Sequence, residues 1–179
     1  MDYALQYVSP LGPLTVVSSE THILGLWFEG QKYFQSTLTG QPHPDDGRDV
    51  LALARDWLDR YFAGKRPSPF ELPLAPSGSP FRQFIWQELC RIPYGEVITY
   101  GALAKLAARA FHKKSMSAQA AGGAVGHNPI SIIIPCHRVV GTNGSLTGYA
   151  GGLEKKIRLL QREGVNTEVF RIPTAGTAL

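Results

Sequence analysis

The chain reads as an α/β protein built from two unequal parts, a small N-terminal sheet-and-helix unit and a mainly helical C-terminal unit. Three observations predict this. Short β-type runs open the chain and lead into one amphipathic helix; a proline-rich stretch with no apolar period occupies residues 65–79; and beyond it the apolar spacing turns helical in successive segments. One β-branched run interrupts the helical half and ends in Pro135-Cys136-His137-Arg138.

At 179 residues the chain is long enough to bury a real core, as one domain or two small ones. A composition of 44% hydrophobic and 18% charged residues is ordinary for a soluble globular protein. No apolar run is long enough to span a bilayer, and the first residues lack a signal-peptide pattern, so no membrane association is expected. The only cysteines, Cys90 and Cys136, have neither disulfide-framework nor zinc-module spacing and suit a reducing compartment, which makes the cytoplasm the expected location. A formal charge of +4 permits a polyanionic partner without requiring one.

The runs Asp2–Val8, Leu14–Ser18 and Ile23–Phe28, separated by turn-rich residues, predict an antiparallel meander. Val50, Leu53, Ala54, Trp57, Leu58, Tyr61 and Phe62 repeat at helical spacing, with Gly64 placed to end that helix. Prolines at 67, 69, 73 and 76 mark an extended connection and put the boundary near Pro76, giving parts 1–76 and 77–179. Ser79-Pro80 then has the form of an N-cap followed by proline in the first turn, and Phe81, Phe84, Ile85 and Leu89 supply the buried stripe, with Cys90 at its end. Ile92-Pro93-Tyr94-Gly95-Glu96 is a turn. Thr99 caps a helix from Tyr100 to about Ala108 that buries Leu103, Leu106 and Ala107.

A further helix begins after Ser117, and Asn128-Pro129 stops it. Its residues are nearly all small, so propensity supports it weakly and something must press closely on its surface. Two helices with a short turn, the second almost free of bulk, suggest a helix-turn-helix approaching a ligand or groove; close helix packing accounts for it equally well. The five-glycine stretch from Gly141 to Gly152 has no phosphate-loop spacing and suits a pocket wall. A last helix from Leu153 to Glu163 buries Leu153, Ile157 and Leu160, turns Lys155, Lys156, Arg158 and Arg162 outward, and ends at Gly164. Glu163 then opposes the helix dipole by up to about 1 kcal/mol, which a partner such as a histidine would offset; a solvated surface glutamate is the plainer reading. Residues 165–179 carry no motif.

The centre of the chain is Cys136. The run Ile130 to Ile134 predicts a buried strand, Pro135 ends its pairing, and the thiol follows where the strand opens into a loop. A thiol with an ordinary pKa near 8.5 needs nearby positive charge or a base to become a thiolate, and His137 and Arg138 offer both. Neighbouring residues in extended chain point apart, so a water between Cys136 and His137 is expected in place of a direct bond. A nucleophile is favoured, with a buried structural cysteine beside a satisfied histidine as the competing reading.

Together, Ile92-Pro93-Tyr94-Gly95-Glu96, Asn128-Pro129, Ile134-Pro135-Cys136-His137-Arg138-Val139 and Gly148-Tyr149-Ala150-Gly151-Gly152-Leu153 closely resemble the methylated-DNA:protein-cysteine methyltransferases, the suicidal O6-alkylguanine repair proteins. The likeness is specific from Phe81 to Gly164 and looser before it. It implies a small ribonuclease-H-like α/β domain followed by a winged helix-turn-helix-like domain that carries the cysteine. It further implies irreversible transfer of a methyl or other alkyl group from O6-alkylguanine, and from O4-alkylthymine, to Cys136. His137 would deprotonate the thiol through a water, Glu163 would orient His137, Tyr100 would donate a proton to the departing base, and Asn128 would link the recognition helix to the cysteine segment. The recognition helix would enter the minor groove of double-stranded DNA through Ser117, Ala118, Gln119, Ala120, Gly122 and Gly123, with Lys113, Lys114 and Arg138 as further DNA contacts. Tyr100, Val125, Tyr149 and Ala150 would line the pocket for a flipped base. No metal or organic cofactor is implied, and the expected form is a monomer able to cluster on DNA.

Two departures from the family pattern stand out. Gln119 occupies the place where relatives often carry an arginine, and the Phe111–Ser115 turn is several residues longer than usual. Two other functions fit the same features less well: a non-catalytic binder of alkylated guanine, which Cys136 argues against, and an alkylation-sensing regulator, for which no effector or dimerisation segment is present.

Overall fold

A computed structural model describes residues 1–173. The chain divides into two compact units, the first formed by residues 1–78 together with 129–133, the second by residues 79–128 and those from 134 onward.

In the first unit β1 (Tyr3–Ser9), β2 (Gly12–Ser18) and β3 (Ile23–Phe28) form the expected antiparallel meander. A two-residue strand, β4 (His43–Pro44), pairs parallel with β1, giving the order β3-β2-β1-β4. Helix α1 (Asp49–Phe62) packs its stripe of Val50, Leu51, Ala54, Trp57, Leu58 and Tyr61 against the sheet. Leu53, expected in that stripe, is instead 51% exposed; Leu51, two positions back on the helix, takes the buried place.

The 65–79 stretch is more than a spacer. Ser68 and Glu71 close a capping box around the 3-10 turn Pro69–Glu71, and the Trp57 indole donates to the Ser68 carbonyl at 2.9 Å. Residues 73–75 then run beside Ile23, which donates to the Pro73 carbonyl and accepts from Ala75. Residues 129–131 cover the other end of the same strand, where Leu26 donates to Pro129 and accepts from Ser131. The exposed edge of β3 is thereby paired along most of its length.

The second unit begins with α2 (Pro80–Cys90), capped by Ser79, whose hydroxyl accepts from the Arg82 amide. Ile85, Trp86 and Leu89 form its buried face, whereas Phe81 and Phe84 are half-buried and meet Phe111 edge-on. Strand β5 (Ile98–Thr99) leads directly into α3 (Tyr100–Ala110), capped by Thr99. The buried face of α3 carries Leu103, Ala104, Ala107 and Ala108, with Leu106 at its margin. Helix α4 (Ala118–Gly126) starts on a Ser117 cap and packs against both α2 and α3; Trp86 donates from its indole to the Ala124 carbonyl at 2.9 Å. The small residues of α4 thus serve close packing on the inner face, through Ala121, Ala124 and Val125, and leave an almost bare outer face.

The run Ile130–Ile134 is not a strand. It makes one bridge, Ile130 with Leu26, and then turns, Ile132 adopting φ +69°, a rare value for a β-branched residue. The strand lies after the cysteine instead: β6 (Val139–Val140) pairs parallel with β5. Helix α5 (Leu153–Arg162) closes the unit by packing Leu160, with Leu153 and Ile157 beside it, against Val140 and Leu146.

Candidate active site

Cys136 opens a 3-10 turn, Cys136–Arg138, held by bonds from the Cys136 amide to Ile134 and from the Arg138 amide to Pro135. A local turn therefore presents the thiol, where a strand end had been expected. The turn is entirely buried. Burial pushes the Cys136 thiol pKa up, and the Asn128 side chain, the Lys156 charge and the amide N–H groups of Cys136 and His137 pull against it. Asn128, at the end of α4, also donates from Nδ2 to the Ile134 carbonyl at 2.9 Å, so one side chain joins that helix to the cysteine turn.

His137 and Glu163 meet at 2.7 Å between Nε2 and Oε1, and both side chains are sealed from solvent. Burial holds the imidazole pKa down despite the carboxylate, so His137 is neutral and Nε2 carries the proton it donates to Glu163. Its Nδ1 is buried with no protein hydrogen-bond partner. Glu163 also accepts from Arg138 Nε at 2.7 Å and Nη2 at 3.0 Å, while Arg138 Nη1 donates to the Ile92 carbonyl at 2.6 Å. Burial alone would raise the Glu163 carboxyl, yet His137 and Arg138 hold it well below the usual carboxylate range. The glutamate at the wrong end of α5 thus has its partners. Gly95, with φ +83°, brings the 92–96 turn so near this helix end that a Cβ would lie 2.9 Å from the Glu163 carbonyl oxygen.

Arg138, expected among the DNA contacts, is buried and tied to Glu163 and Ile92, so its guanidinium is committed inside the unit. The other expected contacts do lie outward: Lys113, Lys114, Ser117, Ala118, Gln119, Ala120 and Gly123 are exposed. Gln119 is the single long side chain on that face of α4. Gly122, half-buried, lies over Tyr100, where a Cβ would sit 3.6 Å from the ring.

Tyr100, the first residue of α3, donates from its hydroxyl to the Thr147 carbonyl at 2.9 Å. Burial, followed by the charge of Cys136, pushes its phenol well above the ordinary range, so it stays protonated. Gly148 allows this approach, since a Cβ there would stand 3.1 Å from the Tyr100 hydroxyl. Of the other expected pocket residues, Val125 is buried and Tyr149 and Ala150 are half-buried beside Gly148.

Lys156 was expected at the surface and is instead wholly buried, donating from Nζ to the carbonyls of Val139 at 2.6 Å and Thr147 at 2.7 Å. Its spacing held the signal: it lies three residues after Leu153 and four before Leu160, on the apolar stripe of α5. Among the described residues no three His, Cys, Asp or Glu side chains converge as metal ligands, and no helix is long and apolar enough to cross a membrane.

A buried thiol beside a hydrogen-bonded histidine–glutamate pair, together with a capped helix whose outer face is almost bare, defines a DNA-binding protein with a cysteine nucleophile. Residues 3–76 match the ribonuclease-like domain of the 6-O-methylguanine DNA methyltransferases, and residues 80–165 match their DNA-binding domain. The chain is 43% identical over 163 residues to a methylated-DNA–protein-cysteine methyltransferase of Haemophilus influenzae, covering 91% of this chain and 87% of that one. It is 40% identical to the protein of that name from Methanosarcina acetivorans, covering 92% and 99%. The solved structure of Mycobacterium tuberculosis OGT in complex with DNA superimposes with a TM-score of 0.77 at 36% identity, over 93% of this chain and 98% of that one. The chain belongs to the methylated-DNA–protein-cysteine methyltransferase family.

Proposed function

We propose that this protein repairs double-stranded DNA by moving an alkyl group from O6-alkylguanine, and from O4-alkylthymine, onto Sγ of Cys136, once per molecule. The observation that carries the reading is a buried Cys136 whose turn Asn128 ties to the end of α4 and whose neighbours His137 and Arg138 are both bonded to Glu163.

The chemistry follows from the protonation states. Neutral His137, with Nε2 on Glu163, keeps Nδ1 as an acceptor, and a water between Nδ1 and Sγ carries the thiol proton to it. The imidazolium formed is stabilised by Glu163. The thiolate then forms an S–C bond as the C–O bond to the base breaks, and that electron pair leaves with the base. Tyr100, protonated at any physiological pH, gives the departing base its proton. The thioether product has no hydrolytic route back, which makes the reaction single-turnover. A target inside a duplex has to leave the stack to reach a buried thiol, and Gln119 is the side chain able to fill its place. Lys113, Lys114 and the α4 face read phosphates and groove shape, so binding is sequence-tolerant. The protein acts as a monomer that clusters on DNA, in the cytoplasm.

The test is intact-mass analysis after incubation with a methylguanine duplex. One methyl group per molecule on Cys136 is expected, with none in Cys136→Ser, which still binds DNA. Methyl on Cys90, or repeated turnover, would overturn the reading.

A further inference from the structure

Beyond α5 the chain turns back on its own unit. Gly164, with φ +82°, ends the helix, and a 3-10 turn, Thr167–Val169, follows on an Asn166 cap whose Oδ1 accepts from the Glu168 amide at 3.0 Å. Gln161 Nε2 donates to Thr167 Oγ1 at 3.1 Å and ties this turn to the helix it has just left. The next residues then meet the glycine-rich stretch that follows β6. Arg171 donates to the Gly144 carbonyl and its own carbonyl accepts from the Leu146 amide, both at 2.8 Å, in a parallel bridge to Ser145. Val165 and Phe170 pack on the cluster of Val140, Leu146 and Leu160.

The stretch so held has reason to need holding. It carries five glycines between Gly141 and Gly152, and glycine gives up more conformational freedom on folding than any other residue. Thr142 lies against the first turn of α3, where a Cβ on Gly101 would stand 3.1 Å from the threonine hydroxyl oxygen. Next to Leu146, the Thr147 carbonyl accepts from the Tyr100 hydroxyl at 2.9 Å. The Arg171 bridge is therefore one peptide away from the group that aims the proposed proton donor. Its contribution comes through the backbone and Phe170, since the side chains of Val169, Arg171 and Ile172 are exposed.

We infer that residues 165–172 are a strap that holds the glycine-rich wall of the base pocket, with Phe170 and the Arg171 backbone as positioning groups that fix Thr147 and, through its carbonyl, the Tyr100 hydroxyl. This role rests on the function proposed above. The thiol and its partners are held from elsewhere, by Asn128, Arg138 and the 92–96 turn. Loosening the strap therefore impairs the handling of the base and spares the thiol.

Three variants of the full-length protein separate these effects. Phe170→Ala removes the packing; Arg171→Pro deletes the N–H to Gly144 and suits the extended backbone of Phe170 before it, at φ −97° and ψ 153°. Val169→Ala, at an exposed position of the same segment, is the control. Single-turnover alkylation by free O6-methylguanine base is followed against its concentration, and alkylation of Cys136 by methyl iodide, which needs neither pocket wall nor proton donor, is followed beside it. In Phe170→Ala and Arg171→Pro the half-saturating concentration of the base is expected to rise at least about 5-fold, with Phe170→Leu restoring it, while the methyl iodide rate stays within about 2-fold of wild type. An unchanged half-saturation overturns the inference. Equal losses in both reactions would mark the strap as a stabilising element alone and also overturn it.

A second measurement needs no turnover. The Tyr100 Cζ resonance, read by carbon NMR, reports the bond from its hydroxyl to Thr147; it is expected to move in Phe170→Ala and Arg171→Pro and to stay in Val169→Ala, and a resonance unmoved in the first two overturns the inference. Should Phe170→Ala fail to fold, Arg171→Pro, which keeps the packing, decides. A wild type that takes no methyl from the base or from DNA counts against the proposed function, and the strap is then judged by the Tyr100 resonance.

Discussion

Replacing Glu163 with Gln keeps the shape of the side chain and deletes its charge. In the folded protein Glu163 is 4% exposed and accepts two bonds from Arg138 and one from His137, so the substitution leaves the Arg138 guanidinium buried without a counter-ion. Breaking such a pair from one side costs about 3–5 kcal/mol, which for a chain of this size lowers Tm by roughly 6–20 °C. Adding Arg138→Met removes the stranded charge, and the double variant is expected to be at least about 2 kcal/mol more stable than the summed single losses predict. The carboxyl pKa is depressed in the fold, so its contribution is complete above the unfolded value of about 4.3 and is lost as pH falls below it. The gap between wild type and Glu163→Gln should therefore close in acid. Denaturant titration, with hydrogen exchange of the α5 amides to localise the change, measures all of this; a single-variant loss below about 1 kcal/mol, or additive losses, would refute the reasoning. Methyl transfer should slow by about 100-fold or more, through the lost orientation of His137, with DNA affinity unchanged.

Asn128→Ala should cost about 1–3 kcal/mol for the unpaired Ile134 carbonyl, and its transfer rate should recover as pH is raised, because the thiol pKa climbs; melting and a pH–rate profile check both. Gly123→Ala, where a Cβ meets nothing within 4 Å, should gain up to about 1 kcal/mol of helix stability yet weaken duplex binding, since the added methyl occupies the face proposed to approach DNA. Unchanged binding would move the DNA contact elsewhere. Gln119→Arg should tighten duplex binding and steepen its dependence on salt by about one released counterion, readable from affinity against log salt.

Much of this architecture could be read from periodicity and capping residues alone. The three meander strands, the serine and threonine caps of α2, α3 and α4, and the glycine after α5 are local signals, and local signals survive into the fold. The misreadings share a cause. A short β-branched run marks burial as readily as a strand, so the Ile130–Ile134 turn was invisible without knowing that β3 accepts one of its residues. Charge turns Lys156 outward and the family likeness puts Arg138 on DNA, whereas tertiary packing supplies the carbonyls and carboxylate that hold both inside. Their neighbours were better guides than their charge: Lys156 lies on the leucine stripe, and Arg138 lies between a histidine and two valines that are all buried.

The five-residue return of the chain to β3 has a consequence for synthesis on the ribosome. Leu26 emerges early, but the residues that pair with it, Pro129 to Ser131, are made about a hundred positions later. At the usual rate of elongation the end of β3 waits roughly 5–20 s with its backbone groups unpaired. During that interval the nascent N-terminal unit presents an open apolar strand edge to any other chain nearby, and only the arrival of residues 129–131, just ahead of the cysteine turn, closes it. A truncated product ending at Asn128 would keep that edge open permanently, so premature termination in this chain carries an aggregation hazard located in the unit that was finished first.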